Sequence, residues 1–380
     1  MTVRRVTILL AAGLLVIGFA IWLSSRRHLE RTTLAGELVL PGLDKAVNSI
    51  TEVRLRKGDG TQTTLRKGAS DWTVQQRDYA ADSGKVRKLL LDLAELNVVE
   101  EKTRTPENYP RLGVEDVNSP KATGTRVEAV TPAKTYALIV GKSSGAKSGY
   151  VRVADSPQSL LASPSITLDA DPRHWLDHTL IDIPQERVQE VVVKPAAGPG
   201  YTVTRAKKEQ QDFTVPDIPK GRELSNPAAA DPIAGSLAGL TSDDVQRASQ
   251  PAPGGPPNAA AKSPPPAAPV HATFRTFDGL ELDFTGHKDG SRTLIAVTAR
   301  SSAKESQPEA QSLAARVKDW EFEVPSYKYD AMFRPLEELL KKPPEPAAKK
   351  TKGAGKDADK GAKKAPSPVL PAAVPPPPGK

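Results

Sequence analysis

Apolar residues recur at every second position in short runs along most of the chain. One series is Ile50-x-x-Val53-x-Leu55, then Thr64-Leu65-Arg66, then Trp72-Thr73-Val74. A second is Val188-x-x-Val191-x-Val193, then Val203-Thr204-Arg205, then Phe213-Thr214-Val215. Gly58-Asp59-Gly60 and Gly198-Pro199-Gly200 separate the first two runs of each series. Period two bounded by glycine turns predicts antiparallel hairpins.

Each series leads into a helical pattern. Asp82 or Ser83 can cap a run in which Val86, Leu89, Leu90, Leu93 and Leu96 share a face. In the second series Asp231 is the expected cap, Pro232 the first helical residue, and Ile233, Leu237 and Leu240 the apolar face. Strands are predicted afterwards at 126–130, 136–140 and 150–153, and again at 272–277, 280–284, 294–297 and 320–324. Leu280, Leu282 and Phe284 alternate with Glu281 and Asp283, as expected of a sheet with one buried and one wet face. His174-Trp175-Leu176-Asp177 and Tyr327-Lys328-Tyr329-Asp330 read as aromatic-rich closing turns. Order, turn placement and closing segments agree between the series. The expected architecture is therefore α+β, with two repeated β-hairpin–helix–antiparallel-sheet units at 47–185 and 186–340.

Val6 to Leu23 is an 18-residue run without a charge. As a helix it would span about 27 Å, close to the hydrocarbon thickness of a bilayer. Arg26 and Arg27 follow it and Trp22 sits at its end, which suits an interface. A cleaved signal would have a shorter apolar run and a small-residue cleavage site. The Trp22-Leu23-Ser24-Ser25-Arg26-Arg27 context lacks the latter. The reading is one transmembrane helix at 6–23, after a short tail at 1–5 and before a juxtamembrane linker at 24–46. Lipid is the first expected partner. The expected orientation puts the N-terminus inside and the bulk of the chain beyond the inner membrane.

Charge divides unevenly. The net charge of +8 comes from the ends: five Arg against one Glu in 1–31, and ten Lys against three acids in 341–380. Residues 32–340 carry 38 basic and 41 acidic side chains, so the folded part offers no basic face by composition and nucleic acid is not an expected partner. The chain has no cysteine, which excludes disulfides, thiol catalysis and Cys-ligated metal. Two stretches are unsuited to packing. The insert 251–269 holds eight prolines, and the tail 341–380 is Lys-, Ala- and Pro-rich. That tail is the basis of an alternative function, binding of envelope polyanions or lipid surfaces.

Candidate chemistry is sparse. Gly141-Lys142-Ser143-Ser144-Gly145 matches the nucleophile-elbow pattern G-x-S-x-G, but that pattern needs a helix directly after the serine. Ala146-Lys147-Ser148-Gly149 and a strand follow instead, the grammar of a hairpin loop. A P-loop would require glycine where Tyr136 stands. His174 and His178, with Asp171 and Asp177 near by, have metal-ligand residue types, but no Glu stands between the histidines in the H-E-x-x-H position. No catalytic, cofactor-binding or metal residue is assigned, and no small-molecule substrate is identified.

An N-terminal anchor, a V-x-L strand, Trp72-Thr73-Val74, and Tyr79-Ala80-Ala81-Asp82 leading into Val86–Leu96 together form a recognisable pattern. With Leu112-Gly113-Val114, Leu138-Ile139-Val140-Gly141 and Tyr150-Val151-Arg152-Val153, it resembles the bacterial domain of unknown function 4340 family over roughly 40–340. The resemblance implies a membrane-tethered extracytoplasmic protein, often paired with ABC-transporter membrane subunits like those of gliding-motility systems. It carries over no catalytic residue. The Pro-rich insert and basic tail depart from the family's pattern. The expected role is a non-enzymatic, single-pass accessory or scaffold protein.

Overall fold

The computed structural model describes residues 34–248 and 268–341. The expectations for the tail 1–5, the apolar run 6–23, nearly all of the Pro-rich insert and the tail beyond 341 lie outside the described residues. Among the described residues, no helix is long and apolar enough to cross a membrane.

The first hairpin forms as its pattern dictates. Strands β1 (Glu52–Lys57) and β2 (Gln62–Lys67) pair antiparallel with Val53 opposite Leu65. Val53, Leu55 and Leu65 are buried, while Arg54 and Arg56 point the other way. Gly60 closes the turn at φ 90°, where a side chain would be strained. Strands β3 (Trp72–Val74) and β4 (Tyr79–Ala80) extend the sheet. Helix α1 (Ser83–Ala94) follows, capped by Asp82, whose carboxylate accepts from Lys85 N at 3.0 Å. Its buried stripe of Val86, Leu89, Leu90 and Leu93 packs into the core. Strands β5 (Asn97–Glu101), β6 (Thr125–Val130), β7 (Thr135–Ser144), β8 (Ser148–Val153) and β9 (Ser159–Ser163) complete a nine-stranded antiparallel sheet, ordered β4-β3-β2-β1-β6-β7-β8-β9-β5.

After a short ribbon strand β10 (Thr179–Ile181), a second sheet begins with the hairpin β11 (Val188–Lys194) and β12 (Tyr201–Thr204). A one-turn helix α2 (Asp231–Ala234), β13 (Leu240–Thr241) and β14 (Asp244–Arg247) come next. Then follow β15 (Val270–Thr276), β16 (Leu280–Asp289), β17 (Arg292–Ser301), helix α3 (Gln307–Val317), β18 (Trp320–Glu323) and helix α4 (Ser326–Met332). The sheet order is β12-β11-β15-β16-β17-β18-β14. With β3 and β4 set aside, the first sheet has the same order, strand for strand.

Several expectations are corrected. Asp231 does not cap a helix. Ala230 holds that position without a side-chain bond, and Asp231 instead accepts from Phe213 N at 3.1 Å. The helix ends after one turn, because Gly235 opens a 3-10 turn and Gly239 adopts φ 55°, so Leu240 falls on β13. Tyr327–Asp330 lies within α4 rather than in a turn. Helix α3 is an element that the apolar pattern does not predict. From residue 34 onward the expected linker belongs to the folded body. Leu43 is fully buried, and Val39 N donates to Leu96 O at 2.8 Å. Gly36 N and Glu37 O pair with Val98, which covers the open edge of β5.

The boundary at 185/186 does not separate the two halves. Strand β10 pairs with β13, and Arg316 donates to Leu180 O at 2.7 Å. One apolar cluster runs through both sheets. At its centre Tyr79 meets Trp320 edge-on at 5.1 Å and Phe322 at 5.9 Å. Aromatic pairs in this geometry add about 1 kcal/mol beyond their buried area.

Candidate interaction surfaces

The residues singled out for chemistry are placed apart. Ser143 lies on β7 opposite Gly149, beside the β7–β8 hairpin turn, and its hydroxyl accepts from Ser165 Oγ at 3.4 Å. The hairpin expected from the glycines and lysines is what forms. His174 is exposed, stacked edge-on against Trp175, and its carbonyl accepts from Lys85 Nζ. His178 Nδ1 lies 2.5 Å from Ser242 O, at the end of the β10–β13 ribbon. Asp171 caps the turn before Trp175 and pairs with Arg173, whose hydrogen bonds hold its carboxyl below the usual range. Asp177 accepts from Thr179 N. Each group is thus engaged separately. Among the described residues, no cluster of His, Asp and Glu converges as metal ligands would.

What the fold does bring together is a junction between the sheets. The β3–β4 turn, where Asp78 takes φ 51°, meets edge strand β14. Arg77 pairs with Asp244 through both forks, Nε to Oδ1 at 2.7 Å and Nη2 to Oδ2 at 2.9 Å. Arg247 reaches back to Asp78 at 2.5 Å and lies 4.0 Å over the Trp320 ring. Asp244 raises the Arg77 guanidinium above its ordinary value through that hydrogen bond, and burial pushes the Tyr79 phenol up to about 12. A cavity of about 240 Å³ lies between Gln75–Asp78 and Val245–Arg247. Neither ion pair is visible in the sequence, because the partners lie more than 160 residues apart.

The junction leaves the outer faces of both sheets carrying charge. On the second sheet, one cross-strand row reads Glu190, Arg275, Glu281, Arg300. Arg275 pairs with Glu190 and Glu281, and Arg300 with Glu281 and Asp283, so signs alternate and each charge has a partner. On the first sheet, the row Arg66–Glu52–Val130 and the row Thr64–Arg54–Glu128 are similarly matched. Glu52 holds Arg54 at 2.5 Å and Arg66 at 3.1 Å, and Glu128 holds Arg126 at 2.8 Å and Arg54 at 3.6 Å. The third row breaks the rule, since Arg56 stands directly opposite Arg126.

Two antiparallel sheets of one strand order, joined edge to edge by an ion pair and an aromatic cluster, place the protein in the α+β class. The family model described as Domain of unknown function (DUF4340) matches residues 72–259, which supports that domain family for this stretch. The matched stretch runs from β3 through β14 and so draws on both sheets. Comparison with curated proteins found no match, and comparison with solved structures found none.

Proposed function

We propose that this chain is a non-enzymatic accessory or scaffold protein, tethered to the membrane by residues 6–23 and working beyond it through its doubled-sheet body. The two sheets are read as copies of one ancestral unit. Their common strand order, with a helical segment between the hairpin and the returning strands of each, supports that reading. The observation that carries the proposal is the junction at Arg77–Asp244. It joins two sheets whose outer faces carry exposed rows of charge, an arrangement suited to presenting surfaces to partners. The proposed partners are the membrane subunits of an ABC-type exporter, and the proposed site is the inner membrane with the bulk of the chain extracytoplasmic.

The test is crosslinking in intact cells followed by affinity purification from detergent-solubilised membranes. Transporter membrane subunits should co-purify. Recovery of the bare protein alone, or of the full-length chain from the soluble fraction, would refute the proposal. A topology reporter fused after residue 340 should read as extracytoplasmic. The alternative function, binding of envelope polyanions through the tail 341–380, predicts that deletion of the tail abolishes association with wall material.

A further inference from the structure

The first sheet carries a cavity of about 410 Å³ on its outer face, lined in part by Arg54, Arg56, Gln62, Asn118, Arg126 and Glu128. Its floor is the row Gln62–Arg56–Arg126 across β2, β1 and β6. Like charges directly opposite on neighbouring strands are destabilising. The neighbouring rows of this sheet and the ladder on the second sheet avoid that cost by alternating signs. Arg56 makes no ion pair among the described residues, and Arg126 gives its Nε to Glu128 and leaves its outer fork free of acidic partners. Among the described residues the four arginines Arg54, Arg56, Arg66 and Arg126 pair with two acids, Glu52 and Glu128, which leaves two positive charges in excess within this group.

The wall of the cavity is also built. The segment 119–122 lies against the β1–β2 turn, and a side chain at Gly58 would collide with the Ser119 carbonyl and touch Ala122. That close approach brings Asn118 to the rim of the arginine row. Behind it the same cross-strand row continues into Ile139 and Arg152. Arg152 is covered: it donates to Val114 O at 2.9 Å and to Asp116 at 2.7 Å, and stacks on Tyr109. The covering segment therefore stops at a pair of arginines of which, among the described residues, Arg126 has one acidic partner, Glu128, and Arg56 has none.

We propose that this cavity binds the phosphate group of a phosphomonoester. Guanidinium forks match phosphate oxygens in a bidentate manner, and the Gln62 and Asn118 amides add neutral donors. A phosphomonoester carries close to two negative charges at neutral pH, which equals that excess. The proposal is independent of the tether and of any protein partner. The phosphate can come from a soluble metabolite or from a lipid headgroup, and the test separates the two.

The experiment is calorimetric titration of the full-length protein in a nonionic detergent, at fixed ionic strength, with glycerol 3-phosphate and with short-chain phosphatidic acid. Saturable one-to-one binding is expected. Arg56→Gln and Arg126→Gln should each weaken it about tenfold or more, whereas Arg275→Gln on the second sheet should leave it unchanged. Equal affinity for the two probes assigns a soluble ligand, and clearly tighter phosphatidic acid binding a lipid. Thermal melting supplies a second readout. Glycerol 3-phosphate should raise the melting temperature of the wild type but not of Arg56→Gln, and without ligand Arg56→Gln should melt no lower than the wild type, because the variant relieves repulsion. Absence of saturable binding, binding retained in the Arg56→Gln/Arg126→Gln double variant, or an equal loss in Arg275→Gln overturns the proposal.

Discussion

Arg77 and Asp244 form a two-pronged ion pair between the first sheet and the edge strand of the second, with both side chains largely shielded from water at 14% and 12% exposure. Removing one partner leaves the other charge half-desolvated and unpaired, which for shielded pairs costs about 3 kcal/mol. Asp244→Ala should lower the unfolding free energy by that order in urea denaturation. Arg77→Ala/Asp244→Ala should cost less than the sum of the single variants. Because the pair joins the two sheets, the wild type should melt in one transition by circular dichroism. The single variants should broaden it or split it in two.

Arg205 is a second buried cation with a different role. It is 4% exposed, donates to the carbonyls of Val188, Gln185 and Gln210 at 2.9–3.0 Å, and lies 4.7 Å over Phe213 and 5.5 Å from Phe277. It thereby ties the 206–213 loop to the start of β11. Lysine has one compact ammonium and cannot reach three separate carbonyls while stacking between two rings. Arg205→Lys is therefore expected to destabilise by about 3 kcal/mol, from lost charged hydrogen bonds and cation–π contact. Lys207→Ala, on the exposed loop beside it, should stay within about 0.5 kcal/mol in the same denaturation assay.

The hairpins at 53–65 and 191–203 were legible because burial on one face writes itself as strict alternation, and Asp82 with its leucine stripe declared α1 in the same direct way. Strand β5 was not legible. Asn97-Val98-Val99-Glu100-Glu101 has a single buried apolar position and is defined by its pairing with β9 and with residues 36–38. Helix α3 escaped because its buried face is Ala310, Leu313 and Val317, a small stripe beside Pro308. The segment after Asp231 misled because the glycines at 235 and 239 end the helix that the leucine spacing suggests. The arginine row depends on the register of β1 against β6, some 70 residues away, and no local pattern encodes it.

Glu52 gives the outer face of the first sheet a defined pH response. Partial burial raises its pKa, but hydrogen bonds from Arg66 and Arg54 more than offset this and hold the folded value below the ordinary 4.5. A carboxyl depressed in the folded state contributes stability that is complete above its unfolded pKa and is lost as pH falls through the folded one. Wild type should therefore exceed Glu52→Gln in stability at pH 7, by no more than about 1 kcal/mol because both arginines are half exposed. The gap should close progressively below pH 4.5. Urea denaturation at pH 7, 4 and 3 measures it; a gap that persists unchanged at pH 3 would mean that packing, not charge, is the source.

Gly286 marks where the second sheet accepts its aromatic cover. It lies on β16 between Val270 and Ile295, and a Cβ there would come within 2.6 Å of the Phe333 ring and 2.8 Å of Tyr329. Those two rings pack on each other at 4.8 Å and seat α4 on the sheet. Both are buried, so neither can swing into water without losing its own packing. Overpacking of this kind costs roughly 1–3 kcal/mol, and Gly286→Ala should fall in that range. The cause can be separated from a loss of backbone freedom. Phe333→Leu removes the ring edge that the new methyl would strike, so the double variant should be less destabilised than the two single costs combined, with a favourable coupling of at least about 0.5 kcal/mol. Strict additivity in that cycle would place the cost in the strand backbone rather than in the seat of α4.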